Sequence, residues 1–305
     1  MAQLNPLPSA DHEEPDAATR PGSTEAAALA VERLTTGAEQ EALAFLGVRP
    51  EHTFGMVNQI RDNGLESPNN RGDFYACRNA DGQLVGVAHF GHATLFETRG
   101  DEAVAALARA ARAFPPTHLI FGEREKVKLF WQYYAGGIKP PRVVKALLLE
   151  QRYPVEVPPP VPELRAARAE DADEVARVHA EMAFQESGVN PLVADAEGFM
   201  RRTLQRIEKG RVWVCAGEGR LNFKADLITE TPDVIYLEGV YVHPEQRGKG
   251  FGYRCFAKLV RELLKQTQTV VVLVNADNRA ARSLYERSGF KLKSHYELIY
   301  PGALV

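Results

Sequence analysis

Between Val240 and Gly252 the chain reads Val-Tyr-Val-His-Pro-Glu-Gln-Arg-Gly-Lys-Gly-Phe-Gly, and that order of residue types carries a definite chemistry. Val240, Tyr241 and Val242 close an apolar strand, and Gly248, Gly250 and Gly252, with Phe251 between the last two, lead into a helix. Glycines at alternate positions let the backbone turn tightly and present successive N–H groups at the helix start. Such a terminus binds an anion without needing a charged side chain, and it suits a pyrophosphate. A plain strand-to-helix turn needs one glycine, hardly three with Arg247 and Lys249 beside them. The pattern is neither a Walker loop, since no Gly-Lys-Ser/Thr follows, nor a Gly-x-Gly-x-x-Gly dinucleotide turn.

Further candidates lie close by. Tyr285 stands seven residues after Asn278, two helical turns along one face. Read alone, Tyr285 is a core aromatic ahead of the helix stop at Gly289; Asn278 is a good helix cap. Glu238 interrupts the otherwise apolar run Tyr236–Val240. It is either a carboxyl raised by burial and poised as a general base, or a partly solvated sheet acid. His89 and His92, three apart on one strand, point to opposite faces and make a poor metal pair, so no metal is expected. Cys215 and Cys255 read as small core hydrophobes.

The elements that must hold these residues are legible over 163–305. A short strand at 164–168 precedes a helix over 171–182, whose stripe is Val175, Val178 and Met182. A second helix spans 195–209, closed by Gly210. A hairpin joins 212–215 to 221–228, and another strand covers 234–242. The helix over 252–266 is amphipathic, 270–274 is a buried strand, 278–288 a helix and 291–300 a last strand. Such alternation implies a mixed α/β sheet. The upstream half repeats the order: a hairpin over 74–77 and 83–90, a helix over 102–114, a strand over 118–121, a helix over 125–134 and a strand over 142–149. A tandem duplication follows. The division expected is a disordered tail over 1–32, a first domain over 33–153, a stiff connector over 154–162 and a second domain over 163–305. The connector rests on Pro154, Pro158, Pro159, Pro160 and Pro162.

The second half resembles the GNAT superfamily of N-acetyltransferases. The family's Arg/Gln-x-x-Gly-x-Gly/Ala loop is met by Arg247, Gly250 and Gly252. Its Asn-x-x-Ala-x-x-x-Tyr-x-x-x-Gly-Phe signature is met by Asn278, Ala281, Tyr285, Gly289 and Phe290. The first half looks like a degenerate copy, with only Arg99-Gly100 at the loop position and no Asn-x-x-Ala ahead of Trp131. The resemblance implies two tandem GNAT-like domains of α+β type, of which the second uses acetyl-CoA as co-substrate for N-acyl transfer to a primary amine. It implies that backbone amides of Val240–Val242 meet the acetyl and pantetheine groups, that Tyr285 is the general acid, and that Asn278 caps its helix or meets the pantetheine arm. It also puts Glu186, in the loop 185–190, beside the acceptor. The other reading is a non-catalytic module on the same fold that senses acyl-CoA or binds a protein.

Composition narrows the partners. The chain has 305 residues and a net charge of −3; the first 32 residues carry −5 of it, leaving the rest near +2. So balanced a body argues against nonspecific nucleic-acid binding. No apolar run approaches the ~20 residues that span a bilayer. Three cysteines without a CxxC pair suggest a reducing compartment, and the expected location is cytoplasmic. The expected acceptor is a small-molecule or protein amine, and the expected state a monomer or homodimer.

Overall fold

The structure, a computed structural model, describes residues 29–160, 163–217 and 220–302. Its first half contains β1 (Ala30–Arg33), α1 (Glu39–Leu46), α2 (Pro50–Asn63), β2 (Gly72–Arg78), β3 (Leu84–Gly91), β4 (Ala93–Thr98), α3 (Asp101–Ala111), β5 (Leu119–Glu123), α4 (Arg124–Ala135) and β6 (Arg142–Gln151). The second contains β7 (Arg165–Ala166), α5 (Ala172–Ser187), α6 (Pro191–Ala194), α7 (Ala196–Glu208), β8 (Val212–Gly217), β9 (Arg220–Glu230), β10 (Val234–Val242), α8 (Phe251–Leu263), β11 (Thr269–Asn275), α9 (Arg279–Arg287) and β12 (Lys291–Tyr300). Of the expected tail, residues 1–28 lie outside the described residues. Residues 30–32 are not part of a tail: they form β1, paired antiparallel to β2, where Arg78 also holds the Glu32 carboxylate at 2.6 Å.

All twelve strands form one mixed sheet in the order β1-β2-β3-β4-β5-β12-β6-β11-β10-β9-β8-β7. Exchanging each strand of one half for its counterpart in the other reverses this order onto itself, so the halves are related by a pseudo-twofold axis. The axis passes between β6 and β12, which pair antiparallel. The sequence divides at the proline-rich segment, but the sheet does not. β6 of the first half lies against β11 of the second, and β12 of the second lies against β5 of the first. Each half thus takes its last strand from the other.

Both faces are covered, which is why β11 reads as an unbroken apolar run. Helices α8 and α9 bury Leu237, Phe256, Val270, Val272 and Phe290 on one face, and α3 and α4 continue the same layer with Leu107, Ile120 and Phe130. The other face carries α1 and α2 over the first half and α5 and α7 over the second. Helix α2 also crosses the junction: Phe54 stacks on Tyr236 of β10 with ring centres 4.2 Å apart, and Asp62 accepts two hydrogen bonds from Arg211.

Candidate active site

Strand β10 makes the site by departing from regular pairing twice. It runs parallel to β11 from Val234 to Leu237, matched to Thr269–Val272, and there the pairing stops. Both strands continue, so a notch opens between them with β10 backbone on one wall. On the other edge Glu238 pairs with Asp226, but the next pair is Tyr241 with Lys224. One extra residue is therefore inserted into β10, a β-bulge. Gly239 takes the strain at φ +60°, a left-handed conformation that side-chain-bearing residues rarely adopt. The bulge turns Val240 onto the same face as Leu237, towards α8.

The glycine loop closes one end of the notch. After a 3₁₀ turn at Pro244–Gln246, Gly248 and Gly250 adopt φ +72° and +73°, and Gly250 is the N-cap of α8. With no capping side chain there, the first N–H groups of α8 point outward from bare backbone. Gly252 serves packing instead: a Cβ there would come within 2.7 Å of Val242 Cγ2, so glycine lets helix and strand touch. Arg247 folds back and donates to the Val242 carbonyl at 2.9 Å.

Helix α9 supplies the opposite wall. Asn278 is its N-cap, and its side chain accepts from the Ala281 N–H at 3.0 Å. Two turns on, Tyr285 is 7% exposed and packs against Phe256 and Phe290 at ring-centre distances of 5.1 and 6.0 Å. Burial, reinforced by the negative charge of Glu238, pushes its phenol well above the ordinary value, so it remains protonated at neutral pH.

These parts surround a cleft of about 520 Å³. Val240, Tyr241, Val242, Arg247, Gly248, Gly250, Gly252, Asn278, Ala281 and Tyr285 all line it. Lys249 and Phe251 do not: Lys249 is exposed and Phe251 packs into the core beneath the loop. Glu238 is exposed, so of the two readings of that position the structure has the solvated acid and not the buried one. The cause is the parting of β10 from β11 just before it, which uncovers that position. Glu186 lies not in a loop but in the last turn of α5, which runs a turn beyond the expected 171–182 and ends at Gly188; its side chain lies outside the described residues. The wall facing α9 comes from Glu181, Met182 and Gln185 of that longer helix. Their signal was the helical stripe through Met182, which continues past the apparent stop.

The first half opens the same notch and fills it. β4 and β5 pair in parallel only over Ala93–Leu95 and Leu119–Phe121. Glu97, which occupies on β4 the place of Glu238 on β10, is 2% exposed and is met by Arg49 (3.1 Å), Arg99 (2.6 Å) and Lys126 (3.2 Å). Glu123 also binds Arg49, and His52 joins it to the Tyr296 hydroxyl. Only about 20 Å³ of space remains. Arg99, at the degenerate loop position, thus serves this network and covers the Phe45 ring at 4.3 Å. His89 bonds the Ala93 carbonyl through Nδ1, and His92 lies beyond the end of β3, so the two do not share a strand. Among the described residues no group of three or more His, Cys, Asp or Glu is placed to hold a metal ion, and no helix is long and apolar enough to cross a membrane.

Residues 220–299 match the family model described as FR47-like protein. A search of curated protein sequences finds no match. Solved structures of similar fold include a GNAT-family acetyltransferase from Colwellia psychrerythraea, 12% identical, with 88% of this chain and 98% of that one covered and a TM-score of 0.59. A GCN5-related N-acetyltransferase from Sphaerobacter thermophilus is 15% identical over 88% and 94% of the two chains, at 0.59. A tandem GNAT protein from the clavulanic acid biosynthesis pathway is 14% identical over 90% and 99%, at 0.56. At such identities the likeness is one of fold. The chain is built on the GNAT acetyltransferase fold, present twice in one continuous sheet, with the FR47-like segment in the second copy.

Proposed function

We propose that the protein is an N-acyltransferase that moves an acetyl group from acetyl-CoA to a primary amine, with its active site in the second half. The observation that carries this reading is the cleft at the parting of β10 and β11, where strand backbone, a bare helix N-terminus and a protonated tyrosine converge. The residues fit the co-substrate. Gly248 and Gly250 leave the amides at the start of α8 open to a pyrophosphate, while Arg247 and Lys249 add positive charge nearby. Acetyl-CoA supplies an activated thioester; this chain supplies the donors and the proton transfers.

The amide of Val240 stabilises negative charge on the acyl oxygen as the amine attacks. Tyr285, kept protonated by burial and by Glu238, gives its proton to the departing sulfur. Glu238 takes a proton from the attacking amine, directly or through water, as an exposed carboxylate. Glu181 and Gln185 form the acceptor side of the cleft, and the acceptor is a small molecule or a protein carrying a primary amine. The test is calorimetry of CoA on the full chain, followed by thiol release from acetyl-CoA with a panel of small amines, amino acids and peptides. The expected result is CoA binding and amine-dependent thiol release. Absence of CoA binding overturns the proposal.

A further inference from the structure

Beneath the bulge lies an ion pair with no role so far. Lys224 and Asp226 stand two apart on β9, so their side chains share a face. That face is closed over by α5, leaving Lys224 0% and Asp226 2% exposed. Lys224 Nζ donates to Asp226 Oδ2 at 2.5 Å and to the carbonyl of Gly239 at 3.3 Å. A Cβ on Gly239 would lie 2.6 Å from Asp226 Oδ2 and 3.0 Å from Lys224 Nζ, so the bulge rests directly on the pair.

The planar trans peptide gives that contact a consequence. The carbonyl of Gly239 and the N–H of Val240 belong to one peptide unit and point in opposite directions. With the carbonyl held by Lys224 Nζ, the Val240 N–H points away from the ion pair, and Val240 itself lines the cleft. A buried ammonium on the carbonyl oxygen also draws charge through the peptide and strengthens the N–H as a donor. We infer that Lys224 is a positioning residue for acyl transfer: through the Gly239 carbonyl it aims and polarises the Val240 N–H that receives the thioester oxygen. The inference rests on the acyltransferase reading above.

Two observations favour this over a purely structural pair. A buried ion pair is weak support for stability, because desolvation offsets most of its attraction. Here the pair is also incompletely satisfied, since the buried Asp226 Oδ1 has no hydrogen-bond partner among the described residues. The other half is an internal control. There β4 pairs with β3 without a bulge, and Val87 stands opposite Glu97 as Asp226 stands opposite Glu238. Val85 then takes the place of Lys224. Within this chain, the ion pair and the bulge occur in the half that keeps the glycine loop. His179 of α5 approaches the pair, and burial and then the Lys224 charge lower its pKa to about 4, so it adds no competing positive charge at neutral pH.

The test uses the full chain with both charges removed together, Lys224→Met with Asp226→Leu, so that neither is left bare in the interior. Two readouts are taken. In NMR spectra of the free protein, the Gly239 carbonyl carbon should move upfield in the double variant, as expected when an ammonium is withdrawn from it; an unmoved resonance overturns the proposal without reference to activity. In steady-state assays kcat for thiol release should fall by about ten- to a hundredfold, less than deletion of an oxyanion donor because the donor remains. CoA affinity by calorimetry, which involves no acyl oxygen, should stay within about twofold. Unchanged kcat with a lower melting temperature shows a structural pair only. If wild type binds CoA but transfers to no amine, the acyltransferase reading fails, while the carbonyl shift still decides the contact.

Discussion

The exchange of final strands makes a strong prediction about what can fold alone. A cut at the proline-rich segment gives a fragment of residues 155–305 that keeps the glycine loop, Asn278 and Tyr285 but loses β6. In the whole protein β6 pairs with β11 through six register positions, from Gln151 opposite Val270 to Ala146 opposite Asn275. It also buries Leu148 and Leu149 at 0% and 3% exposure. Burying each such leucine is worth about 1.5–3 kcal/mol, so the two together contribute roughly 3–6 kcal/mol. Each ladder hydrogen bond adds about 1 kcal/mol net. The loss therefore approaches the whole stability of a typical domain, about 5–15 kcal/mol.

A fragment of residues 141–305 restores β6 with both its partners, β11 and β12. Thermal melts followed by circular dichroism should show a cooperative transition for 141–305 and none for 155–305, and calorimetry should detect CoA binding only to the longer fragment. A sharp transition of 155–305 within a few degrees of the full chain would refute the strand-exchange reasoning, because β11 would then be shown not to need β6.

Three further outcomes are expected. Tyr285→Phe keeps the ring packed against Phe256 and Phe290, so CoA affinity should hold while kcat falls about 10²–10⁴-fold; normal turnover with a lower melting temperature makes Tyr285 a packing residue. Glu238→Gln should lower kcat by about 10²-fold if Glu238 is the base, and unchanged kinetics would transfer that role to water or to an acid of α5. In the first half, burial pushes the Glu123 carboxyl up, but Arg49 and the neighbouring His52 and Lys126 outweigh it and hold the pKa near 2. A depressed carboxylate stabilises fully above its ordinary value near 4.5 and loses that contribution as pH falls towards 2, here of order 3 kcal/mol; Glu123→Gln should therefore flatten the fall in melting temperature between pH 5 and 3, and an identical acid limb in both proteins counts against the network.

How far the sequence reveals the molecule depends on the range of the interaction. The glycine loop, the Asn278 cap, the Tyr285 helix and both hairpins depend on neighbours a few residues away, and each is readable from spacing. The exchange of β6 and β12 is invisible to spacing, since it is decided by which long-range pairing leaves no open edge at the centre of the sheet. Helix α2 carries a usable stripe in Phe54, Val57 and Ile60, buried at 4%, 6% and 3%, although its role in bracing β10 across the junction follows only from the tertiary contact. The apolar strand around Glu238 leaves its burial open in the sequence, and its exposed position beside the parting of β10 from β11 is that of the solvated acid. Lys224 and Asp226 alternate with Phe223, Ala225 and Leu227 as on a solvated face. Alternation reports which face is polar, and a helix from elsewhere decides whether that face is dry.

The two notches show why one sheet geometry has had two fates. Where parallel strands part, their facing N–H and carbonyl groups lose their ladder partners, and something else must satisfy them. In the first half the chain does so itself: Lys126 donates to the Thr98 carbonyl at 3.3 Å and, with Arg49, neutralises Glu97 and Glu123 in the gap. The helix that follows also starts from a glycine N-cap, Gly100, without a capping side chain, but no further glycines precede it. In the second half the gap is left to solvent or a ligand, and Gly248 and Gly250 keep the neighbouring helix start bare. Filling a notch with charged side chains closes it, and leaving it lined by backbone keeps that backbone open to a ligand. A duplicated scaffold can divide these tasks, since the filled copy braces the centre of the sheet through β5 and β12 while the open copy stays strained at Gly239.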